Sequence, residues 1–201
     1  MYALRLKRMF GRQAFFIMEE TMARHRTFIS YHHQNDQSYK DRFVRLFSDY
    51  HDVFIDGSVD DGDIDDRLQT ETIRQKIRDE YLRDTFVTII LIGKETWKRK
   101  HIDWEISSSI RDTKNNPRSG LLGIILPSHP DYGKPNFTKS IIPPRLYDNV
   151  VCKYAKVYHW SESYQSIEHW IQDAYDSRYT IIPNNSRPMF GKNRSGDYWT
   201  D

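Results

Sequence analysis

The sequence predicts an α/β fold, a five-stranded parallel sheet between two helical layers with the flavodoxin-like strand order 2-1-3-4-5. Three observations carry that expectation. From about Arg26 onward, short apolar runs alternate with segments whose apolar residues recur every three or four positions, the marks of strand and amphipathic helix in turn. The third and fourth runs, residues 86–92 and 120–126, are apolar almost throughout, as strands covered on both faces are. Regular alternation of this kind favours right-handed crossovers, which place helices on both sides of one sheet.

Each element has its own signal. Residues 27–31 read as the first strand. Asn35-Asp-Gln-Ser38 then offers helix caps, Ser38 and Asp41 having capping-box spacing. Tyr39, Phe43, Leu46, Phe47 and Tyr50 make one apolar helical stripe. A second short strand at 53–55 is closed by Asp56-Gly57, and an acidic loop runs on through Asp66. Leu68, Ile73, Ile77 and Tyr81 mark the next helix. After the third strand, Ile102, Ile106 and Ile110 define the buried stripe of another helix. The proline-rich stretch 127–149 (Pro127, Pro130, Pro135, Pro143, Pro144) reads as loop. The fifth strand falls within 150–159 and takes in Cys152, and Tyr164, Ile167, Ile171 and Tyr175 mark a final helix.

The chain divides into an N-terminal extension (1–22), one domain (23–182) and a tail (183–201) rich in Asn, Ser, Arg and Gly, expected to lack regular structure. The extension holds four of the five methionines (Met1, Met9, Met18, Met22) and the cations Arg5, Lys7, Arg8 and Arg12. Its apolar piece, 14–18, is too short for a signal-peptide core. It reads as a flexible or helical arm, with Met22 as an alternative start.

Bulk properties exclude several classes. A length of 201 residues suits one domain with modest extensions. The net charge of +2 gives no general pull toward nucleic acid or membrane. Cys152 is the single cysteine, so an intrachain disulfide and a multi-cysteine metal site are both impossible, and a cytoplasmic location is expected. The apolar runs are far shorter than the roughly 20 residues that span a bilayer. There is no GxGxxG, no GxxxxGK[ST] and no GxSxG. The loop 56–66 departs from a calcium loop: with Asp56 as first ligand, Asp61 stands where glycine is needed and Arg67 where the closing glutamate belongs.

The most informative stretch is Lys94-Glu-Thr-Trp-Lys-Arg-Lys-His-Ile-Asp-Trp-Glu-Ile106, directly after the third strand. In open α/β sheets, ligands bind beyond the carboxyl ends of the strands, at the point where strand order reverses. There the sequence places Ser30, Tyr31 and His32 beside Trp97, His101, Trp104 and Glu105. Helical spacing puts His101, Glu105, Ser108 and Ser109 on one side, roughly a quarter turn from the isoleucine stripe. Glu105 is therefore expected at the edge of the buried face, where partial desolvation would raise its pKa. Most helical glutamates are surface residues; the position after the third strand and the flanking Trp104 favour function here. Tyr31, His32, Trp97 and Glu105 are expected to line one cleft. The pair His32-His33 reads as the end of the first strand and lacks companions for a zinc site.

Arg26-Thr-Phe-Ile-Ser-Tyr-His-His33, the acidic loop, the buried third strand and Thr96-Trp97 with Trp104-Glu105-Ile106 together resemble TIR-like domains. Over about residues 25–175 the chain resembles, more closely, the TIR-like proteins of bacterial Thoeris anti-phage systems. That resemblance implies an NAD-processing enzyme, an NAD nucleosidase or ADP-ribosyl cyclase, with Glu105 catalytic and Ser30, Tyr31 and His32 in the nucleotide pocket. It implies NAD as substrate with no separate cofactor or metal, a cyclic ADP-ribose-type product, and a separate effector protein that the product activates. Self-association, as a homo-oligomer or as the whole of a non-catalytic signalling role, is the alternative such domains present. Many TIR enzymes carry a serine shortly before the tryptophan; this chain has Lys94-Glu95-Thr96. The chemistry agrees: cleaving a nicotinamide–ribose bond passes through an oxocarbenium-like state, which a carboxylate stabilises. A nucleoside deoxyribosyltransferase-like enzyme on a similar sheet is a third reading.

Overall fold

The computed structural model describes residues 25–47, 54–55 (backbone), 64–65, 67–113 and 116–200. Five strands run parallel: β1 (Thr27–Ser30), β2 (Phe54–Ile55), β3 (Val87–Ile92), β4 (Gly120–Ile125) and β5 (Ala155–His159). Their order is β2-β1-β3-β4-β5, as the sequence predicts. Register is continuous through the centre, Ile89 pairing with Ile29 on one side and Leu122 on the other. Every residue of β3 and β4 is buried, which accounts for their unbroken apolar runs.

Among the described residues, five helices flank the sheet: α1 (His33–Phe47), α2 (Thr70–Lys76) running on into a π-turn (Ile77–Tyr81), α3 (Lys100–Ser109), α4 (Pro144–Val151) and α5 (Tyr164–Thr180). Alternation along the strands divides the core in two. Ile29, Tyr31, Ile89, Leu91, Leu122 and Ile124 face α1 and α5, meeting Phe43, Phe47, Ile167 and Ile171. Ile90, Ile92, Leu121 and Ile125 face the other way, against Ile102, Ile106 and Ile110 of α3 and Leu146 of α4. The paired layers are a flavodoxin-like, three-layer arrangement. Among the described residues no helix is long and apolar enough to cross a membrane.

Several local expectations are corrected. The first strand ends at Ser30, and α1 begins at His33, five residues ahead of the Ser38 cap. The His32 carbonyl receives the Asp36 amide at 2.8 Å, so Asn35 to Ser38 lie inside the helix and His33 is its first residue. The prolines of 127–149 conceal α4: Pro144 occupies its first turn, where a missing N–H costs nothing because that donor has no intrahelical partner. Cys152 caps the end of α4 instead of sitting in a strand. Residues 183–200 contain no helix or strand, yet they are packed: Trp199 is buried, and its indole donates to the Ile142 carbonyl at 2.8 Å. The extension 1–22, Tyr50, Val53 and the loop 56–66 apart from Ile64 and Asp65 lie outside the described residues.

Candidate functional site

Three chain segments converge at the carboxyl edge of the sheet beside the β1/β3 switch point. They are the β1–α1 junction, the turn after β3, and the start of α3. Glu105 stands at the centre. Its carboxylate accepts a 2.5 Å hydrogen bond from the Ser30 hydroxyl, across 75 positions of sequence. Ser30 is the last residue of β1 and is itself fully buried. The Glu105–Ser30 pair therefore ties the first strand to α3.

Glu105 is 0% exposed. The expectation of a carboxylate at the edge of a half-buried helix is corrected: α3 is buried from His101 through Ser109. The reason is a second cover that periodicity cannot show. The sheet takes the isoleucine stripe, and the 183–200 tail takes much of the rest. The Trp104 indole donates to the Phe190 carbonyl at 2.8 Å, the Phe190 amide donates to Asp103 at 2.9 Å, and the Lys100 amide donates to Asn193 at 2.9 Å.

The other predicted residues separate. Tyr31 follows Ser30 and turns to the opposite face, where it packs in the α1 layer, stacks on His33 at 4.4 Å and donates to Gln37 at 2.7 Å. Successive residues of an extended chain face opposite ways, so Ser30 and Tyr31 do not share one wall with Glu105. His32 is buried at the junction, and its carbonyl serves as the α1 cap. Trp104 belongs to a core cluster with Phe28, Ile73, Ile77 and Leu82, and His101 meets its ring edge at 5.3 Å. Trp97 is buried in a 3-10 turn (Thr96–Lys98), with the Lys98 ammonium 5.4 Å from its ring centre. It lines an open groove of about 420 Å³ with the tail residues Phe190, Tyr198 and Trp199.

Sequence reasoning missed Asp36. It lies in the first turn of α1, buried, with Ser128 and Thr96 hydroxyls donating to its two oxygens at 3.3 and 3.4 Å. It fills the space beside Gly93, where an added Cβ would come within 2.2 Å of its carboxylate. Burial raises its pKa to about 6, against hydrogen bonds from Ser128 and Thr96 that lower it. The misplaced start of α1 hid it; a carboxylate four residues past the capping carbonyl is the signal that would have found it. Thr96, at the position of the departure from the TIR serine pattern, also receives the Gly93 amide at 2.9 Å and shapes the turn. Nearby, Glu95 sits below the usual carboxylate range because Lys98 and Asn35 donate to it.

The arrangement supplies a dry carboxylate that accepts from the fixed Ser30 hydroxyl, at the position where this sheet type binds ligands. Such a group can hold sugar hydroxyls and oppose developing positive charge. Among the described residues no group of three or more His, Cys, Asp or Glu side chains is placed to hold a metal ion. The model of the family described as Thoeris protein ThsB, TIR-like domain, matches residues 28–131, just over half of the chain, from β1 through the turn after β4. No curated protein matches the chain.

Proposed function

The chain belongs to the family of the TIR-like domain of Thoeris protein ThsB, and from that premise we propose that it is an NAD-processing enzyme of anti-phage defence. It cleaves the nicotinamide–ribose bond and closes the ADP-ribosyl product into a cyclic signal for a separate effector. The observation that carries this reading is the buried Glu105 carboxylate held by Ser30 beside the switch point. As the bond to nicotinamide lengthens, the ribose carbon becomes oxocarbenium-like, and a carboxylate in a dry site opposes that charge strongly. Attack by a second nucleophile of the same molecule, in place of water, then gives a cyclic product, so exclusion of water decides the outcome. Substrate reaches Glu105 only when its cover opens, which suits an enzyme switched on by infection.

The enclosure of Glu105 also favours a second reading, a non-catalytic self-association module in which the Ser30–Glu105 bond is structural. The test incubates the full chain and its Glu105→Gln variant with NAD and infected-cell lysate, and follows nicotinamide and cyclic ADP-ribose isomers by mass spectrometry. Product from the wild type that is lost in the variant is expected. Equal product from both removes Glu105 from the chemistry. No product from either, with self-association intact in both, is the result of the second reading.

A further inference from the structure

A cavity of about 330 Å³ opens between α2 with its π-turn and the end of α3. α3 starts at the carboxyl edge and returns toward the amino edge, where the Ser119 amide, just ahead of β4, bonds the Ser109 carbonyl at 2.8 Å. The cavity is therefore separate from the Glu105 site. Three guanidinium groups line it, those of Arg74, Arg78 and Arg111, together with Ser108, Glu71 and Asp79.

Arg78 is unusual. It is 4% exposed, and among the described residues it donates to neutral carbonyls, Ser109 O at 3.2 Å and Pro117 O. Among the described residues its Nε has no hydrogen-bond partner, and neither has the buried Ser108 hydroxyl. Burial lowers its pKa to about 10, with Asp112 acting in the opposite direction, so it remains charged at neutral pH. Asp112 is itself paired with Arg118 at 3.2 Å. A buried cation without an ion-pair partner is costly, and a bound anion offsets the cost.

Glu71 shows where an anion fits. Its two oxygens take Arg74 at 3.0 Å and Arg111, one each. Partial burial opposes ionisation there, but these two donors hold the carboxyl below its usual range. The Glu71 side chain is 62% exposed and stands in the first turn of α2, so it can swing out without disturbing the core.

We propose that this cavity binds a phosphate-bearing anion, which takes the place of the Glu71 carboxylate between Arg74 and Arg111 and adds a counter-charge for Arg78, which makes no ion pair among the described residues. The planar fork of arginine matches a phosphate as well as a carboxylate, and a phosphate has more oxygens to share among three such forks. The inference does not depend on the catalytic reading.

The test is isothermal titration of the full chain with inorganic phosphate and, separately, with ADP, without magnesium and at ionic strength fixed with sodium chloride. Saturable binding is expected. The double variant Arg74→Gln/Arg111→Gln should weaken it at least tenfold, with circular dichroism confirming the fold. Glu71→Gln should tighten it several-fold, because the internal competitor loses its charge; an ion pair serving structure alone would give no such gain. Glu105→Gln should leave phosphate affinity unchanged, separating this site from the carboxyl edge. ADP tighter than phosphate identifies a nucleotide ligand, and equal affinity a bare oxyanion. No saturable binding of either probe at millimolar concentration, or unchanged affinity in both the double variant and Glu71→Gln, overturns the proposal.

Discussion

At the scale of single residues, two buried carboxylates meet the carboxyl edge with different consequences. Glu105→Gln keeps an oxygen for Ser30 to donate to and removes the charge. If Glu105 stabilises a cationic ribosyl state, NAD turnover falls by roughly two or more orders of magnitude, the scale of one lost electrostatic group. Exchanging a charge-assisted hydrogen bond for a neutral one costs about 1 kcal/mol, so the melting temperature should move by only about 2–4 °C. Asp36 is a test in pH. Its carboxyl titrates near 3.8 in the unfolded chain and near 6 in the fold. The folded state therefore favours the protonated acid: this contribution to stability is full below pH 3.8 and is lost as pH rises through 6. Asp36→Asn should gain on the wild type across that window, by up to about 3 kcal/mol at pH 7, read from urea unfolding at pH 4 and pH 7. A constant difference between the two proteins would refute the burial argument.

At the scale of elements, α3 is held by an ion pair and β4 by the lack of a side chain. Arg145 of α4 is fully buried and donates to both oxygens of Asp103 at 2.8 and 3.2 Å. The same guanidinium reaches Asn185 at 2.8 Å and the Pro188 carbonyl at 3.1 Å in the tail. Asp103→Ala strands that cation in the interior and should cost about 3–5 kcal/mol in chemical unfolding. A loss below about 1 kcal/mol would mean that the carbonyls alone satisfy Arg145. At Gly120 an added Cβ would lie 2.0 Å from the Ala174 backbone oxygen. Gly120→Ala must push α5 off the sheet and should destabilise by about 1–3 kcal/mol or more. The overlap is with backbone, so no rotamer change relieves it.

At the scale of the whole molecule, the irregular tail acts as a third covering layer over α3. Truncation after Ile182 removes the acceptor of the Trp104 indole and the donor to Asp103. The shortened chain should melt at least about 5 °C lower, given the few kcal/mol those buried partners carry. Its α3 amides should also exchange faster with deuterium; unchanged exchange across 100–109 would show that the tail rests on α3 without supporting it. The sequence by itself determined the layered α/β fold, the strand order and the place of Glu105 after the third strand. It could do so because hydrophobic period and crossover handedness are local rules. It could not show that Ser30 would reach Glu105, that Asp36 would be buried, or that three arginines would share one cavity. Those facts join residues up to 92 positions apart, and no period along the chain records a contact made by folding it back. The enclosure of α3 was hidden for the same reason: a tail without helix or strand carries no repeating signal, and only packing makes it a layer.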